Sequence, residues 1–241
     1  MQNLAISQSF SINGSTQKIL NTDCYKLTSA VNWQNGSVWF SDKLDLNKPF
    51  DLEFTLNFGN NDGGADGIVF VIQTVGTGAL GQGGGSLGFE GFSPALGIEF
   101  DDYQNTSMND PAFDHIALVK NGSILHPTGS SIYKPVSALT NNGNIEDGND
   151  HLVRIKWNPN GFQLEVFFDC VSRLYISDLD ISKSILNNTS DVWWGFTAST
   201  GGLNNNQTVC IENSVFRKRT FQTCVNSGIT LTTGKSSNNT Y

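Results

Sequence analysis

The chain has 241 residues, a formal net charge of −8 and an isoelectric point near 4.7, so it offers no basic surface for nucleic acid or an anionic membrane. Its 16 Phe and 5 Trp supply enough apolar volume for one large core, and the length fits a single β domain. Charged residues are only 15%, while Gly, Asn, Ser and Thr fill much of the remainder, which favours strands and turns over helices.

No apolar run is long enough to cross a bilayer, so membrane insertion is not expected, and no signal-type hydrophobic segment is seen. Met1 is therefore expected to start a mature fragment or excised piece. Cys24, Cys170, Cys210 and Cys224 lie far apart without CxxC or zinc-ligand spacing. Disulfides and an oxidising compartment follow, placing the chain outside the cell, secreted or on its surface. Four cysteines permit three pairings, and the spacing does not choose among them.

In chain order, Leu52, Phe54, Leu56 and Phe58 alternate with polar residues and predict a half-buried strand. Gly63, Gly64, Ala65, Asp66 and Gly67 form a turn before the uninterrupted apolar run Ile68–Ile72. A second Gly-rich stretch, 83–88, precedes another apolar run over 95–100. Such runs suit central strands of a sheet covered on both faces. Neither Gly-rich stretch has phosphate-loop spacing or opens a helix. A strand resumes at His115–Val119. Val153, Ile155 and Trp157 alternate in the next strand, a turn follows at 158–161, and residues 162–167 return as its hairpin partner. Beyond Phe221 small polar residues take over. The expected organisation is one domain over 1–220, then a strand (Ile229–Thr232) or linker over 221–241 leading to a further module. Many short strands without a helical stripe predict an all-β sandwich of two antiparallel sheets.

The chemistry is concentrated between Glu99 and His115. Strand alternation puts Glu99 and Asp101 on one face, opposite Phe100. A loop then carries Asp102, Tyr103, Gln104, Asn105, Asp110 and Asp114, and ends at His115. Carboxylates, an amide and a backbone carbonyl suit Ca²⁺, whereas carboxylates with an imidazole suit Mn²⁺ or a similar ion. Two adjacent metals sharing carboxylates satisfy both donor sets.

The order Ala65-Asp66-Gly67, Gly85 before Ser86-Leu87-Gly88, Glu99-x-Asp101-x-Tyr103-x-Asn105, Asp110-Pro111, His115 and the run Gly195–Gly201 resembles the L-type lectins. These are the legume seed lectins and the animal secretory-pathway cargo lectins. The resemblance runs from about Cys24 to Phe216, and the wording of the later motifs is nearer to bacterial surface versions. It implies a concanavalin A-like jelly-roll fold that binds sugar without turnover. It implies Glu99, Asp101, Asp110 and His115 around Mn²⁺ (or a second Ca²⁺), and Asp101, the Tyr103 carbonyl, Asn105 and Asp110 around Ca²⁺. Sugar contacts would come from Asp66, Gly85, Tyr103 and Asn105, with Gly202 and Leu203 in the variable loop. The implied partners are glycans displaying mannose, glucose or other hexoses. The family's serine in the manganese shell has only Ser123 as a loose counterpart, and Asp102 and Asp114 add charge that favours a second Ca²⁺. The resemblance also implies a cis peptide between Ala65 and Asp66.

Two rival functions share the architecture. Laminarinase-type glycosidases carry Glu-x-Asp-x-x-Glu on one strand, with the outer glutamates as nucleophile and acid/base. Here the series from Glu99 ends at Gln104, which cannot donate and recover a proton. A calcium-stabilised, protein-binding sandwich would need no sugar pocket of Asp66 and Gly85.

Overall fold

A computed structural model describes residues 9–213. The segment 221–241, the strand expected at Ile229–Thr232 and Cys224 lie outside the described residues.

Among the described residues fifteen strands occur in this order: β1 Phe10–Gly14, β2 Gln17–Lys18, β3 Cys24–Thr28, β4 Asn35–Phe40, β5 Leu44–Asp45, β6 Phe50–Asn57, β7 Gly67–Gln73, β8 Ala95–Asp101, β9 His115–Lys120, β10 Val136–Ser137, β11 His151–Asn158, β12 Gln163–Phe168, β13 Val171–Ile176, β14 Asp191–Ser199 and β15 Gln207–Asn213. The only α-helix among the described residues is the single turn α1, Ile181–Ser184, whose N-cap Asp180 accepts from the Lys183 amide. One sheet runs β1-β4-β14-β7-β8-β9-β10, with β5 beside β14. The other runs β13-β12-β11-β6-β15-β3-β2, and every pairing is antiparallel. This is the expected two-sheet sandwich.

The alternating strands read from the sequence are the half-buried ones. In β6, Leu52, Phe54 and Leu56 point inward, and β11 places Val153, Ile155 and Trp157 beside them through Val153↔Phe54 and Ile155↔Leu52. Phe70 and Phe196 of the facing sheet meet Phe54, the latter edge-on at 4.7 Å between ring centres. Removing one such ring costs about 3–5 kcal/mol. An exposed pair such as Arg154–Asp51, bidentate as it is, is worth about 0–1 kcal/mol. Apolar packing therefore holds the sheets together.

β7 and β8 are buried along their whole length, because the loop between them folds back over the outer face of their sheet. Leu87, Phe89 and Phe92 from that loop pack on Trp39, Val69, Val71 and Val119 in a second apolar cluster. The glycine-rich segment is thus anchored just after Gly85. Cys24 and Cys210, paired across β3 and β15, form a disulfide, and Cys170 is also disulfide-bonded.

Candidate functional site

The site lies where three strand ends meet. The registers Gly67↔Asp101 and Asp101↔His115 bring the turn before β7, the loop after β8 and the start of β9 into one row. Glu99 and Asp101 share the outer face, His115 lies opposite Asp101, and Ala117 opposite Glu99 leaves room above it. All three functional side chains are buried. Nε2 of His115 is 3.3 Å from Oε1 of Glu99. One ligand atom each from Asp101, Asp110 and His115 falls within 4.8 Å of the others, and the same holds for Glu99, His115 and His126.

The loop from 101 to 115 is shaped by its own carboxylates. Asp101 Oδ1 accepts the Tyr103 amide at 2.8 Å, and Asp110 Oδ2 accepts the Asn105 amide at 2.7 Å. Asn105 O then accepts from Met108, closing a short 3₁₀ turn over 106–108. These bonds fix the two acids and Asn105 relative to one another.

His126 was not expected in this place. Its Nε2 lies 2.8 Å from Glu99 Oε1, 3.4 Å from Asp110 Oδ1 and 3.3 Å from His115 Nε2. Ser123, the loose counterpart suggested by the resemblance, instead closes a bridge with Lys120 and accepts the Leu125 amide. The chain after β9 turns there and carries His126 back. Asp102 points away from Glu99 and Asp101. Residue 102 has the inward parity of Phe100, so its carboxylate faces Asp66, Asp114 and Glu146 rather than the histidines. Asp114 nonetheless acts on His115 and Asp102 on Asp101, so both add negative charge close to the site.

A second group of predicted residues converges next to this cluster. The Ala65–Asp66 peptide is cis, as the resemblance implied. The Asp66 amide donates to Ser199 O at 3.2 Å, and Gln207, fully buried, donates to both Ala65 O and Ser199 O. Ser199 Oγ holds Gly84 O at 2.6 Å. A methyl on Gly85 would lie 2.8 Å from Asn105 Oδ1, so only glycine lets the backbone approach that amide. A methyl on Gly201 would stand 3.3 Å from Asp66 Oδ2 and 3.4 Å from the Gly84 α-carbon. Asp66, Gly84, Gly85, Asn105 and Gly201 therefore surround one small space. Tyr103 and Leu203 expose apolar side chains nearby in sequence, and Gly202 is exposed between Gly201 and Leu203.

Gln207 and Trp33 escaped the sequence reading. Trp33 is 77% exposed, and its amide donates to Gly201 O, while Asn32 Nδ2 donates to Gly202 O. A bulky apolar residue inside a polar loop was the only signal for it.

The electrostatics are lopsided. Burial, then Glu99 and Asp110, hold the Asp101 carboxyl well above its usual range. Burial, then Asp114 and Asp66, do the same for Asp102, whose two oxygens lack hydrogen bonds. Burial alone lifts Asp66 to about 7. Burial, then Asp102 and Asp114, lift Glu146 to about 9. His126 is raised to about 9: burial opposes its charge, but Asp110 and Glu99 outweigh burial. Glu99 Oε2 has no hydrogen-bond partner, and Oε1 meets only the imidazoles of His126 and His115. Buried carboxylates without donors are costly, and bound cations are the usual remedy. Mixed oxygen and imidazole donors at this spacing fit divalent ions.

Residues 1–213 match the legume lectin beta-barrel domain of the L-type lectins. The chain belongs to the L-type lectin family. It is a carbohydrate-binding lectin domain, and the jelly-roll expectation holds. Among curated relatives, 111 residues are 32% identical to the pesticidal crystal protein Cry22Aa of Bacillus thuringiensis, covering 45% of this chain and 15% of that protein. A serine-rich adhesin for platelets from Staphylococcus aureus is 31% identical over 111 residues, covering 44% and 8%. This lectin domain thus spans a small fraction of either relative's length. Among solved structures it is similar to lectin II of Ulex europaeus, with a TM-score of 0.67, 19% identity and coverage of 83% and 89%. The Bauhinia forficata lectin in complex with GalNAc scores 0.64 at 18% identity, covering 86% and 91%. The calcium-bound exoplasmic/lumenal domain of VIP36 scores 0.58 at 18% identity, covering 83% and 80%.

Proposed function

We propose that this lectin domain binds hexose-containing glycans without turnover, in a pocket ordered by Ca²⁺ and a neighbouring second ion, and that it works outside the cell. The observation that carries this reading is the convergence of Asp66, Gly85 and Asn105 beside the acidic loop. Asp66 supplies acceptors, the Gly85 amide a donor and Asn105 both types, a set that can fix two neighbouring hydroxyls. Tyr103 offers its carbonyl to the Ca²⁺ side and its ring to the apolar face of a pyranose. Asp101, Asn105 and Asp110 would hold Ca²⁺, while Glu99 and His115, with shared Asp101 and Asp110, would hold the second ion. When bound, the ions would supply the positive charge that keeps these carboxylates ionised, and Asn105 would be held in place as a ligand. The chain's part is positional: the loop bonds to Asp101 and Asp110 pre-order the donors, so less freedom is lost on binding.

Gln104 in place of a second glutamate speaks against a retaining glycosidase. The disulfide supports an oxidising, extracellular setting, as does the relative that is a platelet adhesin. The sugar is taken to be of mannose or glucose type or another hexose. An array carrying mannose, glucose, galactose and GalNAc ligands, probed in Ca²⁺ and again in EDTA, tests the reading. Calcium-dependent retention competed by free sugar is expected. Sustained release of reducing ends from β-glucan, lost in Glu99→Gln, would replace this reading with the hydrolase, and retention indifferent to free sugar would favour a protein-binding sandwich.

Trp33 extends the pocket. Tied to Gly201 by its own amide and to Gly202 through Asn32, with its side chain exposed, it offers a stacking surface for a second sugar unit. Trp33→Ala is expected to weaken an oligosaccharide by about 3–10-fold, equivalent to about 0.5–1.5 kcal/mol. Monosaccharide affinity should stay the same. Calorimetry on a matched pair of ligands reads the difference, and equal losses on both would place Trp33 in the primary pocket instead.

A further inference from the structure

Four side chains account for the second-ion half of the proposed site, and His126 is a fifth that no motif put there. Its Nε2 approaches Glu99 Oε1, His115 Nε2 and Asp110 Oδ1 at 2.8, 3.3 and 3.4 Å. Donors bound to one ion at about 2.0–2.2 Å stand about 2.8–3.6 Å apart, for bonds meeting at anything from a right angle to the tetrahedral angle. The observed spacings are those of neighbouring corners of one coordination shell. His126 can donate to one Glu99 oxygen at 2.8 Å, but the other Glu99 oxygen stays buried without a hydrogen-bond partner, so hydrogen bonding alone leaves the cluster incomplete. Two imidazole Nε2 atoms also face each other in a buried space where their protons compete.

The backbone holds His126 in this position. Its amide donates to Met108 O at 3.0 Å, and its carbonyl accepts from Asn109 Nδ2 at 2.9 Å. Both partners belong to the acidic loop, so the loop and the second imidazole are one unit. His126 also lines a cavity of about 600 Å³, together with Asn109, Pro111, Phe113, Pro127 and Lys134.

Calcium takes oxygen ligands, six to eight of them, and gains little from imidazole. Two imidazoles with carboxylates suit transition ions, and among these Zn²⁺ precedes Mn²⁺ in affinity for a given donor set. We propose that His126 is a direct ligand of the second ion, that this ion is a divalent transition metal rather than Ca²⁺, and that the site prefers Zn²⁺ to Mn²⁺. This rests on the lectin reading above, in which Glu99 and His115 already hold an ion.

The test uses the whole 241-residue chain, stripped with chelator and then saturated with Ca²⁺. Calorimetric titration with Zn²⁺, Mn²⁺ and Co²⁺ should show one further site, with Zn²⁺ bound at least about tenfold tighter than Mn²⁺. Excess Ca²⁺ should fail to displace Zn²⁺, and Co²⁺ should give visible absorption bands. His126→Gln should lower Zn²⁺ and Co²⁺ affinity by at least about 100-fold, the upper end of what losing a mere supporting partner costs, and alter the cobalt bands. His126→Asp returns an oxygen donor and should recover Mn²⁺ while Zn²⁺ stays weak, which separates ligation from misfolding. Unchanged Zn²⁺ affinity and cobalt bands in His126→Gln, alongside loss of the ion in Glu99→Gln, would overturn ligation by His126 and leave the lectin reading intact. Displacement of Zn²⁺ by Ca²⁺ in the native chain would overturn the metal assignment. If no ion binds anywhere and sugar retention ignores EDTA, the metal-ordered pocket fails and this inference with it.

Discussion

Asp66→Asn is expected to abolish measurable monosaccharide binding in a protein that still folds. The backbone contacts that place this residue survive the change: its amide on Ser199 O and Gln207 on Ala65 O involve no carboxylate atom. The side chain itself is 4% exposed, with Oδ2 buried, unpartnered and turned toward Gly201. Exchanging one acceptor oxygen for a donor leaves a sugar hydroxyl mispaired. Losing a hydrogen bond to a charged group costs about 1.5–3 kcal/mol, or roughly 10–150-fold in affinity. A single shallow pocket of this kind binds a monosaccharide at about millimolar strength and relies on multivalency, so such a loss passes the limit of detection. Calorimetry and a thermal melt on one sample decide the matter. Normal affinity in a folded Asp66→Asn protein would move the pocket elsewhere.

Removing metal is expected to lower stability, and more at alkaline than at acidic pH. Asp66 titrates near 7 and Glu146 near 9 in the fold, both above their ordinary values because burial penalises the charged form. A carboxyl whose pKa is raised by folding contributes stability that is complete below its unfolded pKa and disappears as pH climbs through the folded one. The window for Asp66 is therefore about 4–7, and that for Glu146 extends to about 9. In EDTA the melting temperature should fall steadily from pH 5 to pH 9, opposite to a protein dominated by paired carboxylates. Calcium offsets the repulsion that grows along this series. At 100 times its Kd a ligand adds about 2.7 kcal/mol, or roughly 5–10 °C for a domain of this size. The gap between Ca²⁺ and EDTA curves should widen with pH. Superimposed curves at pH 8 would remove the case for a structural cation.

Local chemistry made part of this molecule legible. Period-two alternation found β6 and the β11–β12 hairpin, because one face of each strand meets the other sheet. The continuous apolar runs of β7 and β8 signalled cover on both faces, but not what supplied it. That cover is the loop carrying Leu87, Phe89 and Phe92, which only folding back reveals.

For the site, the sequence alone determined which oxygen donors share a face and that an acidic loop ends on His115. Strand parity and residue type fix both, and neither needs a distant partner. The same parity set Asp102 apart from Asp101, a consequence missed while the loop was read as one charged patch. The tertiary structure alone decided that His126 meets Glu99, that Gln207 meets Ala65 and that Trp33 meets Gly201. His126 is placed by Met108 and Asn109, Gln207 by Ala65 and Ser199, and Trp33 by Gly201. Contacts between segments far apart in the chain leave no period and no spacing to read, because they exist only once two sheets and their covering loops have packed together.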